Sequence, residues 1–231
     1  MANLLQIHTI VSAPFQENTY VVWREDRREA LVIDPGLEPD AILAFLDERA
    51  LDVAAILNTH GHADHIAGNG AMKERYPRAP LVIGVNETAL LSDADLNMSA
   101  PFGFAIVSPP ADQTVCEGDV LEFAGIALEV LEIPGHSPGH VVFVVRSPLT
   151  PGPSPPEGRV EQEAMVVFGG DVLFRGSIGR TDFPDGSFER LESGIQTKLY
   201  TLPGDTIVYP GHGPVTKVGY EKRTNPFVKG K

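Results

Sequence analysis

One junction constrains this chain more than any other feature. The apolar run Val53-Ala54-Ala55-Ile56-Leu57 leads straight into Asn58-Thr59-His60-Gly61-His62-Ala63-Asp64-His65. A short continuous apolar run reads as a strand buried on both faces, which requires covering layers on either side and points to a layered α/β architecture. The chain has seven histidines, and three of them fall within six residues directly after that strand, with a carboxylate among them. Imidazole and carboxylate are ligands for the same borderline divalent metals. The cluster stands at the strand's carboxyl end, where α/β sheets place their sites. His60 and His62, two apart in an extended loop, point the same way, whereas Asp64 and His65 turn toward a second point as the next helix begins. One ion does not readily take all four groups, but two adjacent ions can.

The remaining pattern alternates in the same style. Strands are expected over residues 4–11, 18–23, 30–33, 81–85, 120–123, 126–133, 141–145, 165–168 and 206–209. Helices are expected over 39–49, 66–76, 188–199 and 218–224, with a short one at 86–91. The length of 231 residues fits one domain spanning 1–231. Between two strands that would otherwise form a hairpin lies 147–162, SPLTPGPSPPEGRVEQ. It reads as a flexible surface insertion, with a docking loop as the alternative.

Composition narrows the partners. Eighteen Lys and Arg stand against 31 Asp and Glu, a formal net charge of -13. Such a chain repels phosphate backbones, and no Lys/Arg run offers a local exception, so nucleic acid is not an expected partner. The N-terminus lacks a basic region followed by a long apolar one, and no apolar run reaches membrane-span length. The expectation is a cytoplasmic protein without a membrane partner; a homo-oligomer stays open. The single cysteine, Cys116, excludes an internal disulfide and is expected to be a buried thiol at a strand end.

Three further segments set a metal-binding residue just after a strand beside glycine or proline: Ile133-Pro134-Gly135-His136, Phe168-Gly169-Gly170-Asp171 and Tyr209-Pro210-Gly211-His212. Singly, each is also readable as an ordinary turn residue. Together with the first cluster they supply five histidines and two aspartates, the ligand need of two metals that share a group. Asp34, in Ile33-Asp34-Pro35-Gly36, is either a turn-initiating residue or a carboxylate that supports the histidine loop. His140 is expected to open the next strand and bond locally, and His8 to be a structural strand residue.

His-x-His-x-Asp-His, followed in order by Gly-His, Gly-Asp and Gly-His, resembles the metallo-β-lactamase superfamily, and the match runs from Asp34 to His212. The resemblance implies a four-layer αββα sandwich with a two-metal site at one edge of the sheets. It implies His60, His62 and His136 on the first metal and Asp64, His65 and His212 on the second, with Asp171 bridging them and Asp34 supporting the histidine loop. The metals would be zinc, with iron or manganese equally accepted by such ligands. They would generate a hydroxide that attacks a carbonyl, Asp171 or Asp64 orienting it.

The stretch Gly176-Ser177-Ile178-Gly179-Arg180-Thr181-Asp182-Phe183-Pro184, with Pro210-Gly211-His212-Gly213-Pro214 and Asn225-Pro226-Phe227, resembles the glyoxalase II-like branch. That branch hydrolyses thioesters such as S-lactoylglutathione, a small-molecule partner. With 19 residues after His212, the helical extension that grips glutathione in typical members is expected to be missing, as in the short single-domain branch. Arg175 and Arg180 either hold an acidic substrate or are solvated surface residues. The rival readings are another hydrolase of this fold with a different ester, lactone or thioester substrate, and a persulfide dioxygenase-like enzyme, which shares Gly-Arg-Thr-Asp-Phe and uses a single iron. The ligands of that iron would map to His60, His136 and Asp171. β-Lactamases of this fold are exported and nucleases carry basic surfaces, so neither is expected.

Overall fold

The computed structural model describes residues 5–146 and 165–230. The insertion expected over 147–162 lies outside the described residues. Strands β1 (Leu5–Ser12), β2 (Glu17–Arg24), β3 (Glu29–Ile33), β4 (Asp52–Leu57), β5 (Leu81–Gly84) and β6 (Gln113–Val115) form one sheet in sequence order. The first three pair antiparallel, and β3 through β6 pair parallel. Parallel neighbours need crossovers. Helix α1 (Pro39–Glu48) fills the one between β3 and β4, and α2 (Ala63–Ile66) with α3 (Asn69–Arg75) the next. Proline in its first turn and Asp40 near its positive end start α1.

The second half contributes β7 (Val120–Phe123), β8 (Ile126–Glu132), β9 (Val141–Val145), β10 (Val166–Gly170), the small ribbon β11 (Leu173–Phe174) and β12 (Ser177–Ile178), α4 (Phe188–Thr197), β13 (Ile207–Pro210), β14 (Thr216–Lys217) and α5 (Val218–Thr224). Its sheet runs β14-β13-β10-β9-β8-β7. Ser187 caps α4 by accepting the Arg190 N–H.

Strand periodicity sorts the side chains into layers. On β2, Tyr20 and Val22 face the core between the sheets, and on β9 so do Val141, Phe143 and Val145. The alternate residues face outward: Val21 packs with Ile42 and Leu46 of α1, and Val142 and Val144 with Leu191 and Ile195 of α4. Both sheets are thus apolar on both faces, and the result is the expected αββα sandwich.

Two expectations need correction. The helix expected over 66–76 starts earlier and breaks at Gly68, where the Gly68 N–H donates to the Pro35 carbonyl at 2.7 Å. A Cβ there would stand 2.9 Å from both the Pro35 and Gly36 carbonyls, so the contact needs glycine. The short helix expected at 86–91 is present, wound as a 3-10 helix over Val85–Leu91. Cys116 is exposed, because it follows the edge strand β6 into a turn. There its thiol lies 3.5 Å from the Asp119 carboxylate, which pushes the thiol pKa up. Among the described residues no helix is long and apolar enough to cross a membrane.

Phe143 is fully buried between the sheets. Phe143→Ala is expected to cost about 3–5 kcal/mol in urea unfolding. A loss below about 1 kcal/mol would mean that the sheets do not share this core.

Candidate metal centre

The carboxyl ends of five strands meet on one edge of the sandwich. Asp34 follows β3, the His60–His65 loop follows β4, His136 follows β8, Asp171 follows β10 and His212 follows β13. The pairing makes this possible: β3 and β4 run parallel, as do β10 and β13, and β8 and β10 both run opposite to β9. All seven side chains expected as metal ligands come together here.

They form two groups. Around the first, His60 Nε2 lies 3.1 Å from His62 Nδ1, which lies 2.9 Å from His136 Nε2. Around the second, His212 Nε2 lies 3.3 Å from Asp64 Oδ2, and His65 Nε2 lies 3.9 Å from the same oxygen. Asp171 stands between the groups. Its Oδ1 is 3.4 Å from His65 Nε2, and its Oδ2 is 3.5 Å from both His136 Nε2 and His212 Nε2. Ligands on a tetrahedral ion with bonds of about 2.0–2.1 Å stand roughly 3.3 Å apart. The donor sets His60/His62/His136, His60/His65/Asp171 and Asp64/His65/His212 each converge closely enough to hold an ion.

Hydrogen bonding decides where the ring lone pairs point. His136 Nδ1 donates to the Arg180 carbonyl at 2.9 Å and His212 Nδ1 to the Phe15 carbonyl at 3.1 Å. His65 Nδ1 meets Asp34 Oδ2 at 3.0 Å. His60 Nδ1 meets the Thr59 hydroxyl at 3.1 Å, and that hydroxyl donates to Asp34 Oδ2 at 2.7 Å. The Nε2 atoms of all four rings are thereby turned toward the centre, each a bare acceptor wherever its ring is neutral. His62 Nδ1 faces two of them, and one proton on it could serve only one. His65 Nε2 and Asp171 Oδ1 are buried without a hydrogen-bond partner. A cation satisfies all of these atoms at once, and the donor set therefore fits a metal pair.

The protonation pattern differs between the groups. Burial, reinforced by neighbouring imidazoles, holds His60 well below the ordinary imidazole range and brings His62 to about 3; burial also lowers His136. At His65 burial is outweighed by the carboxylates of Asp64, Asp171 and Asp34, and the ring's pKa is raised. His212 is raised as well, burial again losing to its bond to Asp64 and the charge of Asp171. Asp64 and Asp171 are held below the usual carboxylate range, because the imidazoles around them, His65 foremost, outweigh burial.

Asp34 accepts the Thr59 N–H and hydroxyl, both at 2.7 Å, in addition to its contact with His65. Two glycines leave room for the ligands. A Cβ on Gly170, whose φ is +45°, would collide with the Thr59 hydroxyl, and one on Gly211 with Asp171 Oδ1. His8 lies on β1 and stacks on Phe45 at 3.8 Å.

His140 departs from expectation. It is fully buried, lies 4.7 Å from the His60 ring in a stacked geometry, and accepts the Asp171 backbone N–H at 3.0 Å. Its bond therefore reaches across the sheet and is not local. Glu87 carried no signal in the sequence. Fully buried, it accepts the Gly61 N–H at 2.8 Å, the Ser137 hydroxyl at 2.8 Å and the Gly139 N–H at 2.6 Å, which ties the first histidine loop to the His136 loop.

A cavity of about 890 Å³ opens over His62, Asp64, His136, Asp171 and His212. Arg180 lines it, paired to Asp182 through two bonds of 2.9 Å and stacked 4.3 Å over Phe183. Arg175 instead lies 5.7 Å over the Tyr220 ring and is not among the lining residues.

With this geometry in place, the relatives are informative. The model of the metallo-β-lactamase superfamily matches residues 12–148 and 146–212, and the chain belongs to that superfamily. It is 36% identical over 230 residues to the Haemophilus influenzae hydroxyacylglutathione hydrolase GloC, covering 98% of this chain and 100% of that one. It is 34% identical to the human mitochondrial persulfide dioxygenase ETHE1, covering 96% of this chain and 74% of the other. Among solved structures, the BLEG-1 B3 metallo-β-lactamase superposes with a TM-score of 0.86 at 36% identity, over 97% of this chain and 100% of that one. TTHA1623 in a di-iron-bound form superposes with a TM-score of 0.78 at 37% identity, over 96% and 100%.

Asp34→Ala is expected to lower metal affinity about 10- to 100-fold in chelator competition, since it releases Thr59 and His65 together. Unchanged affinity would show that the loop holds itself. The raised rings, His65 and His212, keep a second ring proton to higher pH than an ordinary imidazole, so an ion entering there must displace it, whereas His60, His62 and His136 lose theirs at lower pH. Dialysis at pH 6 rather than pH 8 is therefore expected to empty the Asp64/His65/His212 group first, read as metal per chain. Loss from the other group first would contradict this assignment of protons.

Proposed function

We propose that this chain is a binuclear metal-dependent hydrolase that cleaves thioesters, with the hydroxyacylglutathione S-lactoylglutathione as its reference substrate. The observation that carries the reading is the pair of donor sets joined by Asp171, with both oxygens of that carboxylate facing ring nitrogens. Divalent ions held there supply an activated water and a Lewis acid for the scissile carbonyl.

The chain's own residues do the rest. His60, His62 and His136 would hold one ion and Asp64, His65 and His212 the other, with Asp171 placed between the two donor sets. Asp171 and Asp64, both ionised, orient the attacking water by accepting its protons in hydrogen bonds. Asp34, through Thr59 and His65, keeps the ring nitrogens aimed. Phe183, whose ring centre lies 5.1 Å from that of His62 and 5.6 Å from that of His136, keeps bulk water from that side of the site. The 36% identical relative named hydroxyacylglutathione hydrolase supports the thioester class.

The relative named persulfide dioxygenase supports a second reading, in which one iron sits on His60, His136 and Asp171. The complete set Asp64, His65 and His212 favours the first, since a single iron leaves it unused. The purified protein is expected to carry about two divalent metals per chain and to hydrolyse S-lactoylglutathione. His212→Ala is expected to lose one metal and to lower kcat at least 100-fold, about 2.7 kcal/mol of barrier. One iron per chain, no thioester turnover and oxygen uptake with glutathione persulfide would instead establish the dioxygenase.

A further inference from the structure

The cavity over the metal groups is lined far more by carbon than by charge. Phe183 and Phe174 rise from the metal-site rings themselves, the Phe174 ring centre lying 6.0 Å from that of His212. The segment after the Val85–Leu91 helix and the turn after β1 add Phe102, Phe104, Ile106 and Phe15 to the lining. The Phe15 and Phe102 rings meet edge to face at 5.2 Å. Phe102 and Phe104 are 58% and 59% exposed. Large aromatic side chains gathered and left open at the mouth of a cavity mark a surface that a ligand covers.

The polar side chains outside the metal ligands are largely engaged with neighbours. Asn97 spends its amide on the Leu90 and Ile106 carbonyls and its oxygen on Ser99. Ser177 donates to the Ile178 carbonyl at 3.5 Å. Arg180, the cation among the described lining residues, gives two of its five donors to Asp182 at the same mouth, so the pair brings no net charge. Among the described residues, that lining holds no uncompensated positive charge for the two carboxylates of glutathione.

From this lining we infer that the acyl arm of the substrate is apolar and uncharged, an aromatic or medium-chain group lying against Phe102 and Phe104, and that glutathione is not required as the thiol. The inference rests on the thioesterase reading for its chemistry, but its binding half stands apart from it. Each methylene buried against that wall raises kcat/KM by about fourfold until the wall is filled.

The test uses the metal-loaded full chain. Acetyl, butyryl, hexanoyl and octanoyl thioesters of N-acetylcysteamine are assayed beside S-lactoylglutathione, and the matching non-hydrolysable S-alkyl thioethers are titrated by calorimetry. The expected result is a kcat/KM that climbs with chain length past the value for S-lactoylglutathione, thioether binding that tightens in parallel, and a flattening of both series in Phe104→Ala. Thioester turnover with a flat series and S-lactoylglutathione preferred would overturn the inference. Thioethers that tighten with length while no thioester is cleaved would sink the thioesterase and leave the apolar arm standing. Neither turnover nor a binding series would sink both.

Discussion

The carboxylate of Asp34 is the contact on which the rest of the site depends. It accepts from the Thr59 backbone, the Thr59 hydroxyl and the His65 ring, and hydrogen bonds to a charged acceptor are worth about 1.5–3 kcal/mol each. Its position is a product of sheet topology. Because β3 and β4 are parallel neighbours, their carboxyl ends lie side by side, and a residue just past one can reach the loop just past the other. Asp34 takes a φ of +49°, a left-handed conformation that aspartate tolerates better than most residues. Thr19 holds it there, donating to the Asp34 carbonyl and accepting the Gly36 N–H. Through Thr59 it sets the tautomer of His60, and directly that of His65. One side chain therefore orients a ligand in each of the two groups.

Electrostatics then separates groups that share a wall. The first is rich in imidazole and poor in carboxylate, so burial leaves its rings neutral. The second holds its rings against Asp64 and Asp171, and charge attraction exceeds the cost of burial. Asp171 belongs to both environments and is kept ionised by the rings around it. The burial of these rings lowers the local dielectric and strengthens each of these effects.

Much of this was legible in the sequence, for physical reasons that differ by residue. The ligands announce themselves because they combine a rare residue type with a local signal, a glycine or proline turn at the end of an apolar strand. The four layers follow from strands such as 141–145, apolar at every position, which need cover on both faces. What stayed hidden depends on neighbours distant in the chain. Glu87 looks like any surface glutamate until the fold sets three donors around it. His140 shares a turn with His136, yet its partner is the backbone of Asp171. Gly68 breaks the helix expected over 66–76, because Pro35 presses against it. Cys116 was misplaced because the edge position of β6 is a property of the sheet. Strands of two or three residues, such as β11, β12 and β14, are too short to show a period.

The ligands are drawn from both sheets, and that has a consequence for how the molecule is assembled. The cluster at 60–65 belongs to the first half of the chain, whereas His136, Asp171 and His212 arrive with the second. Neither half holds the constellation alone. A slip of one residue between the sheets, roughly 3.3 Å along a strand, is as large as the spacing between the donor atoms and would scatter them. A cation seated in this site is a rivet across the seam of the sandwich, and its retention certifies that the two halves of the chain have closed in register.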